Sequence, residues 1–183
     1  MGKTWYTSDL HFGHDKDFIW APRGFKSVIE MNETIIENFN QVVSWDDELW
    51  ILGDCFLKIT PEQGINYLSR LPGKKYIIGG NHDTNERIKA ISDCADESIM
   101  WSGFAVRQKI GKFSFMLTHY PTLTANFDDG KKHPVINLSG HTHSKDKWQF
   151  WPQMIYNVAL DAHDNKPVSI DEIIEDIQNK KRR

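Results

Sequence analysis

The sequence predicts an α/β protein with mixed β-sheets. In the first part of the chain, short apolar segments typical of buried strands alternate with segments whose apolar residues recur every three or four positions. From residue 97 onward the pattern turns to successive strand-like segments. Strands that alternate with helices and are then followed by further strands favour an α/β fold with mixed sheets.

The first part of the chain contains three predicted strands and three predicted helices. In order, they are strand 3–9, helix 28–43, strand 48–53, helix 61–71, a strand within 71–80 and a short helix over 85–92. Ser27 and Glu30 have the spacing of a capping box at the start of the first helix. Thr60, Pro61 and Gln63 supply an N-cap, a first-turn proline and a box partner for the second helix.

The second part of the chain is predicted to be mainly β-structure, ending in one helix. The strand-like segments are 97–101, 104–119, 134–140 and 154–160, and Gly111-Lys112 is a plausible hairpin turn within the second of them. Ser169 and Glu172 form a third capping box, which predicts a helix over 171–180. The basic residues at the C-terminus, 179–183, are expected to be a frayed tail.

Length and composition limit the classes of protein that this chain can be. Its 183 residues suit one domain, and no repeat or low-complexity linker indicates a second, so a single domain is predicted over 1–183. The net charge of −3 gives no global reason to expect a polyanionic partner. No apolar run approaches the ~20 residues that span a membrane, and the N-terminal segment lacks the apolar core of a signal peptide. Cys55 and Cys94 form no CxxC pair, so we expect a cytoplasmic protein without a membrane partner.

Residues able to bind metal follow five of the predicted strands. They are Asp9 and His11, Asp54, Asn81 with His82 and Asp83, His119, and His141 with His143. Each group alone has an ordinary explanation as a turn, a helix cap, or a core or surface histidine. In α/β proteins, however, binding sites form outside the carboxyl ends of strands, where the loops converge. Five such placements together favour a metal site.

The types of ligand indicate which chemistry such a site supports. Histidine, carboxylate and amide groups without thiolate suit Mn, Fe or Zn. Seven candidate ligands are too many for one four-coordinate ion and about right for two. Two divalent ions would exceed the charge of Asp9 and Asp54 by two, which favours a bound hydroxide and an incoming phosphate. His141 and His143 point to one side of an extended chain, so on spacing alone they can serve one ion or two neighbouring ions. The chemistry favours hydrolysis of a phosphoester.

The ordered motifs resemble those of the calcineurin-like metallophosphoesterase superfamily. The motifs are Asp9-x-His11, Gly53-Asp54, Gly80-Asn81-His82-Asp83, His119 and Gly140-His141-Thr142-His143. The flanking segments SDLHFGH, LPGKKYIIGGNHD, THYP and NVALDAHDNKPVSIDEI resemble small stand-alone members found in bacteria and their phages. The resemblance implies a four-layer fold, in which two mixed β-sheets pack as a sandwich flanked by helices. It also implies two divalent metal ions, Mn by preference, with Fe, Zn, Ni or Mg as alternatives.

The resemblance also assigns roles to the residues. It implies that one ion is held by Asp9, His11 and His143 and the other by Asn81, His119 and His141, with Asp54 bridging both. It further implies that His82 contacts the phosphate and protonates the leaving oxygen or stabilises developing charge, while Asp83 orients His82. The expected reaction is direct attack of a metal-bridging hydroxide on phosphorus, without a covalent phosphoenzyme. Cys55, next to Asp54, is expected to be a packed residue and not a nucleophile.

Predictions about the substrate are less specific. His14 is a candidate contact to the phosphate, and Arg23 is either a second such contact or a solvated surface charge. The loop 126–134 is a candidate wall of the cleft, and His133 within it is expected to be exposed. A small nucleotide-like phosphodiester or phosphomonoester is favoured by chain size, nucleic acid is possible but not indicated, and no obligate protein partner is evident. The alternative is a metallophosphoesterase fold without catalysis, acting as a scaffold or binding protein.

Overall fold

The described residues, 2–124, 134–150 and 154–181, form ten strands in two five-stranded sheets that pack face to face. These residues come from a computed structural model of the chain. Both sheets are mixed, and helices flank the sandwich, so the predicted α/β class and its two-sheet architecture are confirmed.

The first sheet has the strand order β10-β1-β2-β3-β4, with β10 antiparallel to β1 and the other neighbours parallel. Its strands are β1 (Thr4–Thr7), β2 (Glu48–Leu52), β3 (Lys74–Ile78), β4 (Ile99–Trp101) and β10 (Val168–Ser169). The parallel connections carry α1 (Asp17–Trp20), α2 (Val28–Val42), α3 (Pro61–Ser69) and α4 (Asn85–Ser92). Because β1, β2 and β3 are parallel, the loops at their carboxyl ends lie at the same edge of the sheet.

The second sheet has the strand order β5-β6-β7-β9-β8, with parallel pairs in the middle and antiparallel pairs at both ends. Its strands are β5 (Ala105–Ile110), β6 (Phe113–Thr118), β7 (Val135–Ser139), β8 (Trp148–Phe150) and β9 (Ile155–Asn157). The hairpin between β5 and β6 turns at Gly111-Lys112, as predicted. Gly111 has a φ of 56°, which a glycine adopts without steric cost.

Side chains that alternate along the strands of the first sheet pack into two hydrophobic cores, one on each face of the sheet. In β2, Leu49 and Ile51 pack with the four helices on the outer face, whereas Trp50 and Leu52 face the second sheet. The inner core includes apolar side chains of the last helix, α5 (Ile170–Lys181), which contacts β10 and β1 and closes that end of the sandwich. Strands buried on both faces hold the loops at their carboxyl ends in fixed positions.

Helix starts follow the predicted capping chemistry. Thr60 Oγ1 accepts a bond from the Gln63 backbone N–H, and the Gln63 side chain accepts one from the Thr60 N–H. Ser169 and Glu172 make the same reciprocal pair. At the start of α2, Ser27 caps as expected, but the Glu30 side chain accepts from the N–H of residue 26 and not from that of Ser27.

The sequence patterns identify the long elements and miss short ones. The predicted helices and eight of the strands, β1 to β7 and β9, are confirmed, whereas α1, β8, β10 and a 3₁₀ turn at Leu160–Ala162 are not predicted. The missed elements have only two to four residues each, too few to show a hydrophobic period on their own. α5 continues to Lys181, and residues 182–183 of the expected frayed tail lie outside the described residues. Among the helices of the described ranges, none has the length and apolarity that crossing a bilayer requires.

We predict that Thr60→Ala lowers the free energy of unfolding by about 1 kcal/mol, because it removes the capping bond to Gln63. Thr84 is a matched control, since it is the N-cap of α4 with a similar backbone conformation but no side-chain capping bond. Urea denaturation of both variants gives the comparison. Equal destabilisation by Thr60→Ala and Thr84→Ala would contradict the assigned capping box.

Candidate metal centre

The loops that follow the predicted strands converge at one edge of the sandwich. The Asp9 N–H donates to the Gly53 carbonyl at 3.1 Å, and the His11 N–H donates to the Asp54 carbonyl at 3.0 Å. In the second sheet, the Gly140 N–H donates to the His119 carbonyl at 3.0 Å. These backbone bonds join neighbouring loops, so all seven predicted ligands meet at the centre of this edge.

One group of donor atoms comes from the loops after β1 and β7. His11 Nε2 lies 3.2 Å from His143 Nε2 and 3.9 Å from Asp9 Oδ1, and His143 Nε2 lies 3.8 Å from the same Asp9 oxygen. Donor atoms that share one ion through bonds of about 2.1 Å lie roughly 3–4 Å apart. The spacing of this triad therefore fits a single metal ion.

A second group comes from the loops after β3, β6 and β7. Asn81 Oδ1 lies 2.8 Å from His119 Nε2 and 3.0 Å from His141 Nδ1, and the two imidazole nitrogens are 3.2 Å apart. His119 Nδ1 lies 2.9 Å from the Leu52 carbonyl, which can only accept, so Nδ1 carries the ring proton. In the neutral ring Nε2 is then an acceptor facing the acceptor Asn81 Oδ1, an arrangement that a cation between them stabilises.

The Asp54 carboxylate connects the two groups. Its Oδ2 lies 3.7 Å from His11 Nε2 and 3.5 Å from His119 Nε2, so one oxygen is close to a ring nitrogen of each group. Its Oδ1 accepts the His82 backbone N–H at 2.9 Å. The carboxylate is therefore fixed between the two sets of histidines.

Five of the seven candidate ligands have left-handed backbone conformations. They are Asp9, His11, Asp54, His141 and His143, with φ between 50° and 71°. This conformation costs a non-glycine residue about 1–2 kcal/mol. Such strain persists only where the surrounding structure imposes it, and it is concentrated at functional sites.

Two glycines leave room for the carboxylates. A Cβ on Gly140 would lie 2.2 Å from Asp9 Oδ2, and a Cβ on Gly80 would lie 2.3 Å from Asp54 Oδ1. Any side chain at these positions would displace the carboxylates. The glycines of the GHTH and GGNHD motifs are therefore explained by close packing against the site.

The Asp9 carboxylate has an orphaned atom. Its Oδ2 accepts the His141 N–H at 2.9 Å, but its Oδ1 is buried and has no hydrogen-bond partner in the described part of the chain. A buried carboxylate oxygen without a partner is costly, and a bound cation removes that cost. Together with the donor spacing, this oxygen shows that these residues can hold a metal ion.

Burial disfavours the charged forms of several groups in the site. Burial, and then the nearby His143, lower the pKa of His11 to about 2, so this ring is neutral and can offer a lone pair at neutral pH. Burial and His119 likewise lower the pKa of His141. Burial raises the pKa of Asp54, with His119 opposing the shift. The metal-free site therefore holds a carboxylate whose charge is unfavourable until a cation binds.

Asp161, which the sequence analysis did not select, fixes the ring of His143. Asp161 Oδ2 lies 3.1 Å from His143 Nδ1, so Nδ1 donates and Nε2 faces the metal site. Burial lowers the pKa of His143, but the Asp161 hydrogen bond and the charge of Asp9 outweigh it and raise the pKa overall. Asp161 follows β9, and the rule that ligands follow strands would have selected it had it been applied to this strand as well.

Arg23 is not a solvated surface charge, so that alternative for it is wrong, whereas its contact to a phosphate stays a prediction. It is 8% exposed, and its guanidinium binds Asp161 through Nε at 3.2 Å and Nη2 at 2.8 Å. Nη2 also donates to the Asp9 carbonyl at 2.8 Å. The residue is committed to holding Asp161 and the loop after β1.

His14 lies beside the first group. Its Nδ1 is 3.3 Å from His11 Nδ1, and its buried ring lines the cleft. Burial, followed by the nearby His82, lowers the pKa of His14 to about 4. The ring is therefore neutral at neutral pH, and its first contact is His11.

His82 and Asp83 have separate roles. The half-buried His82 ring lines the cleft, whereas the Asp83 carboxylate accepts the N–H groups of Asp54 and Gly80, both at 2.8 Å. Within the described ranges no hydrogen bond joins the two side chains, so the expectation that Asp83 orients the His82 ring is wrong. Asp83 instead ties together the loops after β2 and β3.

A cleft of about 650 Å³ opens onto both groups of ligands. Its lining includes His11, His82, His141 and His143. Cys55 is fully buried behind Asp54, and burial raises its pKa, which fits the prediction of a packed residue. Most of the loop proposed as a cleft wall, including His133, lies outside the described residues.

The motif series, which resembles that of the calcineurin-like metallophosphoesterase superfamily, occupies the strand ends of a two-sheet α/β sandwich. The uncharacterized protein MJ1445 of Methanocaldococcus jannaschii is 32% identical over 187 residues, which cover 99% of this chain and 94% of that protein. The Gene 66 protein of Mycobacterium phage L5 is 30% identical over 170 residues, covering 79% of each chain. This chain is therefore in one family with full-length archaeal and phage proteins.

The solved structure of AQ665, a protein of unknown function from Aquifex aeolicus, has the same fold. It aligns with a TM-score of 0.70 and 22% identity, covering 96% of this chain and 99% of that one. No protein-family model matches the chain.

We predict that saturating Mn²⁺ raises the melting temperature of the wild-type protein, because the ion binds only the folded site. At 100 times the dissociation constant the gain is about 2.7 kcal/mol, or roughly 5–10 °C for a chain of this size. Asp54→Asn should lose most of this gain and leave the metal-free melting temperature unchanged or higher, since it removes a buried charge. Differential scanning calorimetry with and without Mn²⁺ measures both effects. The exposed Asp46→Asn is the control, and a full Mn²⁺ shift in Asp54→Asn would refute the assignment.

We predict that Asp161→Asn weakens Mn²⁺ binding by about 10- to 100-fold, because the His143 ring loses the charged acceptor that orients it. Isothermal titration calorimetry measures the affinity, at a temperature where urea denaturation shows the variant to be folded. The exposed Asp164→Asn, three residues along the chain, should bind like the wild type. Equal affinities for the two variants would show that Asp161 does not support the site.

Proposed function

We propose that the protein is a metal-dependent phosphoric ester hydrolase that acts on a small, nucleotide-like phosphoester. The observation that carries this proposal is the position of Asp54. One of its carboxylate oxygens lies within 4 Å of a ring nitrogen from each group of ligands, which suits a carboxylate shared by two divalent cations. Asp9, His11 and His143 would hold one cation, and Asn81, His119 and His141 the other.

Bound divalent cations, Mn²⁺ by preference, supply Lewis-acid activation of water and neutralise the charge of the phosphate. The protein itself orients the metal-binding side chains and buries several of them away from water. His119 is oriented by the Leu52 carbonyl and His143 by Asp161, so the Nε2 atom of each ring faces the centre. The left-handed loops keep these groups in place without rearrangement during turnover.

His82 is the residue best placed to act on the leaving oxygen. Its ring lines the cleft, and its backbone N–H is fixed to Asp54 Oδ1, so the side chain stands beside the centre of the site. Its ring nitrogens make no hydrogen bond within the described part of the chain, which leaves them available to a substrate. His82 would donate a proton to the leaving oxygen or stabilise its charge.

A substrate screen tests the proposed activity. The protein is loaded in turn with Mn²⁺, Ni²⁺, Zn²⁺ and Mg²⁺ and assayed on bis-p-nitrophenyl phosphate, p-nitrophenyl phosphate, cyclic nucleotides, nucleotide monophosphates and short oligonucleotides. Metal-dependent release of phosphate or alcohol, abolished by Asp54→Asn, supports the hydrolase. Tight metal binding without turnover of any phosphoester would refute it and favour a non-catalytic scaffold.

We predict that His82→Ala retains metal binding and loses about 10²- to 10⁴-fold in kcat on diesters with alkyl leaving groups. The loss should be much smaller when the leaving group is p-nitrophenol, which departs without protonation. Steady-state kinetics on a series of diesters with different leaving groups measures the difference, and calorimetry with Mn²⁺ is the control for site integrity. An equal loss across the series would reject a role as general acid.

A further inference from the structure

One wall of the cleft is apolar and contains an exposed aromatic ring that the metal chemistry does not use. Phe18 lines the cleft together with Ile19 and Leu57, and its side chain is 65% exposed. Its neighbour Ile19 is buried in the outer core, which anchors α1 and holds Phe18 at the mouth. The ring stands edge-on to His14, with centroids 5.8 Å apart, and so lies on the side of the Asp9 group.

Two lysines stand on the same side of the cleft. Lys16 and Lys58 are exposed and line the cleft with Phe18, one from each of two neighbouring loops. Within the lining of this cleft Asp54 is the only carboxylate, and it belongs to the metal site. Positive charge beside an aromatic ring is the pattern of surfaces that bind single-stranded nucleotides.

A second exposed ring flanks the other group of ligands. Tyr120 is 51% exposed, with its ring centroid 4.7 Å from that of His141 and 5.2 Å from that of His119. Phe18 is therefore close to the first group and Tyr120 to the second. A phosphate held between the groups would have an aromatic side chain near each of its two ester arms.

We propose that the cleft binds a nucleotide phosphodiester, with a nucleobase packed against Phe18 and an additional phosphate beside Lys16 and Lys58. This proposal rests on the proposed hydrolase function and narrows its substrate. A monoester has a single ester arm and would leave either Phe18 or Tyr120 without a partner group. A diester with two flat arms and extra negative charge matches both rings and the two lysines. A dinucleotide and the end of a single strand share this chemistry.

The first experiment varies one ester arm while the leaving group stays constant. The Mn²⁺-loaded protein is assayed on thymidine 5′-(p-nitrophenyl phosphate), methyl p-nitrophenyl phosphate and p-nitrophenyl phosphate, all of which release p-nitrophenol. Stacking of one base is expected to raise kcat/KM for the thymidine diester by roughly tenfold or more over the methyl diester. Phe18→Ala should remove most of this preference, and Phe18→Tyr should retain it.

Phe104→Ala is the matched control, because Phe104 is 62% exposed but does not line the cleft. It should leave the preference unchanged. A loss in Phe18→Ala that is equal for the thymidine and methyl diesters would overturn the proposal, since a structural defect has that effect. Turnover of none of the three substrates would instead refute the hydrolase function itself.

The second experiment tests the lysines. Hydrolysis of the thymidine dinucleotide is compared with and without a 5′-phosphate, and again with a ten-residue oligothymidylate. Lys16→Gln together with Lys58→Gln should lower kcat/KM for the two more highly charged substrates by roughly tenfold and flatten their salt dependence. The exposed Lys26→Gln, outside the cleft lining, is the control.

A preference for the phosphorylated dinucleotide indicates a small dinucleotide substrate, and a preference for the oligonucleotide indicates the end of a single strand. Either result supports the proposal. No effect of the lysine substitutions on any substrate would overturn the assigned phosphate position. A phosphoserine peptide is assayed as an alternative substrate from a different chemical class. Faster turnover of that peptide than of every nucleotide diester would overturn the assignment of the cleft to nucleotides.

Discussion

The position of the Asp54 carboxylate between two sets of histidines is the constraint on which the rest of the site depends. One oxygen is held by the His82 N–H, and the other lies close to both His11 and His119. The backbone N–H of Asp54 is in turn held by Asp83. Residues from four separate strand ends must therefore be in register before this carboxylate is in place. The fold supplies that register through the parallel strands β1, β2 and β3 of one sheet and β6 of the other.

The same arrangement makes the site unfavourable for folding. Five left-handed ligand residues, a buried carboxylate oxygen without a partner, and facing acceptor atoms all raise the free energy of the folded protein. The two hydrophobic cores provide the compensation, because β1, β2 and β3 are buried on both faces and cannot move without losing apolar contacts. The sandwich and its helices stabilise the fold, whereas the edge that carries the candidate ligands is destabilised until a cation binds there.

The sequence singles out the candidate ligands because each one depends on a local pattern: a strand ends, and a side chain able to bind metal follows. The structure brings these side chains together, and their role as ligands stays a prediction. The sequence predicted the long helices from a local pattern too, since a capping box lies within four residues. The pairing of Arg23 with Asp161 was beyond this kind of reasoning, because 138 residues separate them and no local pattern links the two. The sequence analysis expected the Asp83 carboxylate to orient its neighbour His82. In the structure that carboxylate accepts the backbone N–H of Asp54, in the loop after β2. Contacts between distant loops depend on the sheet order, which local patterns do not specify.

The two halves of the cleft differ in how they are built, and this difference bears on specificity. The ligands are fixed by strands, paired loops and glycines that admit no side chain, so substitutions there disturb the chemistry. Phe18, Lys16 and Lys58 belong to a short helix and to loops, and their side chains are exposed, with the edge-on contact of Phe18 to His14 as the one ring contact described for them. Residues on that wall can therefore change without cost to the fold. A protein built in this way can keep one candidate metal centre while the molecule that its cleft accepts is set by a few side chains at the mouth.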